Sequence, residues 1–181
     1  MVNYSIIKYI KIMMLLFLLV GILIILFSCC STLFSDDELT LQRTDYTGNE
    51  LRTDGYYYVF GPNNNTAIYF LYRNGVILTV GGFLTQNLDS IEKRIIDKDI
   101  GSKDHWGVFI VNNNFIQYER WAGSTGFSAG LYKCKGNILN NTTIHFIESY
   151  NSRTDNTNSI DEIWYFKQFD NKPDSTNNFI K

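Results

Sequence analysis

Between residues 56 and 169 the chain is a succession of short aromatic and β-branched runs, each stopped by turn-forming residues, and no other feature limits its fold so strongly. The runs are YYYVF (56–60), AIYFLY (67–72), VILTVG (76–81), WGVFIVN (106–112), FIQYERW (115–121), AGLYKCKGNIL (129–139), TTIHFIESY (142–150) and DEIWYFKQF (161–169). Residues of this kind favour a pleated, half-buried surface, so the runs predict eight strands. The breaks have mechanisms of their own. RNGV places Asn74-Gly75 between two runs and predicts a type I′ hairpin. GPNNNT and VNNNF are Asn-rich, and Asn tolerates left-handed backbone.

Consecutive strands joined by tight turns pair antiparallel. Eight of them leave long open edges unless the sheet closes or splits into two layers. Meander connectivity favours closure, so the fold expected is all-β, an eight-stranded antiparallel up-and-down barrel; a two-sheet sandwich is the alternative. One interruption is helical. In GFLTQNLDSIEKRIIDKDI, Leu84, Leu88, Ile91 and Ile95 recur at spacings of four, three and four, one face of a helix over about 87–98. Asn87 or Asp89 is its expected cap.

The N-terminus carries a different signal. Lys8 and Lys11 precede an unbroken apolar stretch from Ile12 to Phe27, the n-region and h-region of an export signal. Leu26-Phe27-Ser28-Cys29 follows, which looks like a bacterial lipobox, with Cys29 the expected acylation site and Cys30 a bystander. The alternative is a single membrane-spanning helix, because no charge occurs between Lys11 and Asp36. Both readings put the lysines inside and the acidic SDDE outside, so the body of the protein is expected in the cell envelope, anchored to a membrane. Removing residues 1–28 deletes two lysines and moves the net charge from −2 to −4. The division expected is a signal peptide at 1–28, an acylated N-terminus and tether at 29–50, the barrel at 51–170 and a C-terminal tail at 171–181.

LRTDGYYY, YRNGVIL, WGVFIVNNNFIQYERW, GNILNNTTIHF and DEIWYFKQF, taken in order, resemble the small lipocalin-like lipoproteins of Bacteroidetes-type bacteria over about residues 50–170. The Gly-x-Trp signature of the first lipocalin strand is replaced by DGYYY. The resemblance implies a calycin-like barrel and an envelope location.

The chain offers little for catalysis. GFSAG (126–130) matches a nucleophile elbow with Ser128 as nucleophile, but a strand-like run follows it where a helix is required, and no acid lies between Ser128 and His145. His105 and His145 have no second ligand at metal-binding spacing, and a site built from His145 and Asp104 would need assembly across strands. Cys134 reads as a small core residue. Glu119, Glu148 and Glu162 lie on separate strands and read as surface charge. Neither an enzyme nor a metal or organic cofactor is expected. With no basic cluster, nucleic acid is not a partner.

The aromatic surplus remains: 13 Phe, 12 Tyr and 3 Trp, concentrated in the runs. In a solid barrel they are core; in a partly open one they line a cavity for a small apolar or amphipathic ligand. The lining residues expected are Tyr58, Tyr72, Tyr118 and Trp164. Alternation along FIQYERW puts Arg120 on the face of Tyr118, and if that face is internal the guanidinium needs an anionic partner, which a ligand can supply. The two functions in competition are a lipocalin-like binding protein and a solid-cored envelope protein acting through its outer surface.

Overall fold

The computed structural model describes residues 4–33, 36–96, 100–123 and 129–181, with the side chains of the N-terminal helix described at Ile6 and from Lys8 to Ile24. Eight strands form a closed antiparallel barrel in sequence order: β1 (Gly55–Phe60), β2 (Asn65–Leu71), β3 (Val76–Leu84), β4 (Trp106–Asn112), β5 (Phe115–Ala122), β6 (Gly130–Asn140), β7 (Thr143–Asn151) and β8 (Asn156–Gln168). Closure is made by β8 on β1, with Gly55 opposite Gln168 and Tyr58 opposite Tyr165. β8 starts at Asn156, ahead of its apolar run, because the polar residues Asn156 to Ser159 complete a ladder with β7.

The turns follow the side chains that occupy them. Asn63 and Asn64 both hold positive φ, 56° and 59°, in the turn between β1 and β2, and Asn113 holds 55° between β4 and β5. The type I′ turn expected at Asn74-Gly75 is not formed. Only Gly75 is left-handed (φ 76°), and the loop has three residues between Tyr72 and Val76, whose main chains bond at 3.0 Å. A three-residue hairpin loop needs its left-handed residue last, which selects glycine there and leaves Asn74 free to accept the Val76 N–H.

Alternation sorts the strand residues into two cores. Tyr57, Leu71, Ile77, Phe109, Ile116, Tyr118, Cys134, Ile144, Phe146 and Trp164 point inward. On the outer wall, Tyr56, Ile68, Phe70, Leu78 and Val80 are covered by Ile91 and Ile95 of an amphipathic helix, Leu88–Ile96, inserted between β3 and β4. Asn87 caps it, its Oδ1 accepting the Ser90 N–H at 3.0 Å. Leu84, expected on the helix stripe, is instead the last residue of β3 and is 78% exposed, because β3 runs on past a bulge to pair with the start of β2.

The ends of the barrel differ. At one, the β2–β3, β4–β5 and β6–β7 hairpins are crossed by residues 44–54, with Tyr46 N–H bonded to the Arg73 carbonyl and Arg52 N–H to that of Asn141. Tyr46 and Leu51 (1% exposed) plug this end. The stretch before the barrel, expected as a tether, is thus part of the fold from Asp36 onward. The tail packs too: the half-buried Lys172 ammonium donates to the carbonyls of Thr53 and Leu71, both at 2.7 Å, and sits 3.9 Å from the centre of the Tyr72 ring. Residues Tyr4–Leu33 form one helix. Among the described residues no helix is long and apolar enough to cross a membrane; the apolar run itself continues beyond Ile24, the last described side chain of the helix. Cys29 and Cys30, and with them the expected acylation site, lie outside the described side chains.

Candidate functional site: the open half of the barrel lumen

The lumen changes character along its length. Near the plugged end its side chains are almost wholly buried: Tyr57, Ile77, Phe109, Ile116, Tyr118, Ile144, Phe146 and Trp164 each expose 1% or less. Toward the opposite end the inward residues Val59, Ala67, Tyr69, Arg120, Tyr132, Ile160 and Glu162 are only partly buried, so the barrel admits solvent from that side. At the rim of that end Gly81, the position after Val80 on β3, is exposed, and a Cβ added to it would meet no atom within 4 Å.

An aromatic floor separates the halves. Tyr69 stacks on Trp164 with ring centres 3.8 Å apart and planes at 20°, and its hydroxyl lies 2.5 Å from that of Tyr118. Phe146 meets the rings of Tyr118 and Trp164 edge-on. Burial pushes the Tyr69 and Tyr118 phenols well above their ordinary range, so both stay protonated at neutral pH and act as hydrogen-bonding groups and not as bases. Burial likewise raises the Cys134 thiol to about 11, which rules it out as a ready nucleophile.

Arg120 stands above this floor. One guanidinium nitrogen, Nη1, donates to the main-chain carbonyls of Trp121 (2.9 Å) and Asp104 (3.3 Å), and the group lies 5.0 Å from the centre of the Tyr132 ring. Its Nε is buried and has no hydrogen-bond partner. Leaving a buried donor unpaired costs about 1–3 kcal/mol. The inward carboxylate, Glu162, is engaged by the Trp164 indole N–H at 3.1 Å. Among the described residues Arg120 has main-chain carbonyls for partners and no carboxylate, an arrangement suited to receiving an anion from outside.

The expected lining set divides in two. Tyr118, Trp164 and Arg120 are inside the barrel. Tyr58 and Tyr72 are not: both belong to the outer-wall cluster, Tyr58 beside Phe60 and Tyr165, and Tyr72 bonded to the Pro173 carbonyl at 2.8 Å. In YYYVF three successive tyrosines leave the phase of the strand unmarked, and a one-residue shift exchanges the faces. The inward tyrosine is Tyr57, and its partner across the ladder, Tyr69, is the floor residue that was missed. The alternation Ala67, Tyr69, Leu71 carried that signal.

The carboxylates expected as surface charge also separate. Glu148 is outside with Lys135, Glu162 is inside, and Glu119 points outward yet is fully buried beneath the N-terminal strap. The Glu119 carboxylate accepts the N–H of Thr40 and of Leu41 (2.8 Å) and pairs with Lys133 at 2.7 Å. His145 lies 2.7 Å from Asp161 on the outer wall, apart from Asp104, whose carboxylate accepts the Ser102 hydroxyl at the open end. Among the described residues no three metal-binding side chains come together. Ser128 and most of GFSAG lie outside the described residues. A hollow of about 430 Å³ lies outside the lumen, between the strap, Val108, Trp121 and the tail residues Phe179 and Ile180. Comparison of the chain with family models, with curated proteins and with solved structures found no match in any of the three.

Proposed function

We propose that this protein is a membrane-anchored, lipocalin-like binding protein of the bacterial envelope that holds one small amphipathic ligand in the open half of its barrel, with an anionic end of the ligand on Arg120. The observation that carries the reading is the unpaired Arg120 Nε above a floor of aromatic rings. An apolar wall with few polar groups is what a small-molecule cavity requires. A ligand carboxylate or phosphate would satisfy the orphan donor, while its apolar part would rest on Tyr69, Trp164 and Tyr132. The anchor is read from the apolar run and Cys29, as a lipidated N-terminus. Protonated phenols, a protonated thiol and scattered carboxylates support binding over catalysis.

The test is titration of the full-length protein with fluorescent long-chain probes that differ only in a carboxylate, hydroxyl or amine head. The carboxylate probe should bind best. Arg120→Ala should weaken it by about 10- to 100-fold, the worth of one or two charge-assisted hydrogen bonds at about 1.5–3 kcal/mol. Gly81→Phe, which fills open space without backbone strain, should block all three probes. If none binds, or if Arg120→Ala changes nothing, the barrel is a solid-cored scaffold whose function lies on its outer surface.

A further inference from the structure

The N-terminal strap has a direction, and the direction orients the barrel. Asp36 and Asp37 are fastened at the open end. Asp36 accepts the Ala129 N–H and pairs with Lys103, both at 2.6 Å. The Asp37 N–H donates to the Ala129 carbonyl at 3.0 Å, its carboxylate accepts the Ser152 hydroxyl at 2.6 Å, and its carbonyl accepts the Trp121 indole N–H at 2.8 Å. Ala129 precedes β6, Ser152 follows β7 and Lys103 precedes β4, so all three belong to the unplugged rim. From there the strap descends the outer wall past Glu119 and reaches the plugged end at Tyr46. The chain therefore enters the barrel at its mouth.

We infer that the open end faces the membrane that holds the N-terminus, and that the lumen exchanges its ligand directly with the lipid surface. This rests on the anchored-calyx reading above. Three peptide steps separate Leu33, the last helical residue, from Asp36, a reach of at most about 11 Å. Seven steps separate Cys29 from Asp36, at most about 25 Å fully extended. Either attachment keeps the mouth close to the bilayer; presenting the plugged end instead would require the strap to detach from Glu119 or the barrel to turn over on a stretched tether. The mouth offers apolar contact: Phe60 on β1 and Leu84 on β3 are 43% and 78% exposed, with Thr66 and Asn65 of β2 between them in the ladder. Charge selects neither end, since the mouth exposes Asp36, Glu38 and Asp155 while the plugged end exposes Asp45, Asp170 and Asp174. That end also carries exposed Leu139 and Phe115, so apolar residues alone would not select an end; the point of chain entry does.

The experiment places the full-length chain in phosphatidylethanolamine and phosphatidylglycerol vesicles whose acyl chains are brominated, which quench indole emission on contact. Two exposed positions receive a reporter, Phe60→Trp at the mouth and Leu139→Trp at the plugged end, each read as the difference from the unsubstituted chain. Phe60→Trp should lose more than half of its added emission and Leu139→Trp almost none. Equal quenching, or quenching at Leu139→Trp alone, overturns the orientation while leaving the binding reading intact. Flotation of the vesicles is scored separately: a chain that stays behind refutes the membrane anchor, and the orientation with it.

Discussion

Replacing Glu119 by alanine should release the N-terminal strap while leaving the barrel closed. Glu119 is 0% exposed, and its carboxylate is the shared acceptor for two main-chain N–H groups and the Thr40 hydroxyl, with Lys133 as counter-ion. Removing one partner of a buried, hydrogen-bonded ion pair costs about 3–5 kcal/mol. Here the loss is limited, because Lys133 is 31% exposed and the strap can lift and rehydrate its own amides. We therefore expect about 3 kcal/mol by urea denaturation of the full-length protein followed by tryptophan fluorescence, and a rise of about 100-fold in amide exchange at residues 37–41. Glu119→Gln keeps an acceptor oxygen but loses the charge, and should cost about half as much. A loss below about 1 kcal/mol for Glu119→Ala, or strap amides that exchange as before, would refute the view that this single carboxylate holds the strap against β5.

Three further outcomes are expected. Burial lowers the Lys172 ammonium to about 8, below its ordinary value near 10.4, so from pH 8 upward the unfolded chain binds more protons than the native one and stability rises with pH; below pH 8 both states are charged and the term is flat. Denaturation midpoints between pH 8 and 9.5, below the titration of unfolded tyrosines, should show this rise, and Lys172→Met should abolish it. Gly75→Ala should destabilise by about 2 kcal/mol or more in thermal unfolding, since φ is 76° and the new Cβ would lie 2.1 Å from the Thr44 carbonyl oxygen, forcing the plug to move. Cys134, buried and raised to about 11, should resist iodoacetamide at pH 8 in the native protein and react once it is unfolded, as read from its peptide by mass spectrometry.

The parts of the fold that depend on neighbours a few residues apart are legible along the chain. The eight strands lie where the aromatic and β-branched runs lie, the Asn-rich turns bend as Asn permits, and the helix begins at the Asn87 cap. That Arg120 shares a face with Tyr118 was legible to the same degree, since a period of two ties the two together; that this face is the inner one was not, because nothing local says so. The misassigned residues have the same origin. Tyr58 is outside because a run of tyrosines carries no phase, Tyr72 because AIYFLY is apolar on both faces and the tail arrives to cover the outer one, and Leu84 belongs to β3 because a bulge at Gly81–Gly82 let the strand continue. Tertiary structure alone decided the rest. Glu119 is a surface glutamate by every local criterion, and it becomes a fully enclosed carboxylate only because Thr40 and Leu41, nearly eighty residues earlier, are laid across it. The plug at Tyr46 and Leu51 and the partial exposure of the inward side chains above Trp164 likewise depend on closure. Whether an inward side chain is covered is set by what arrives from distant points of the chain, and no pattern of nearest neighbours encodes that arrival.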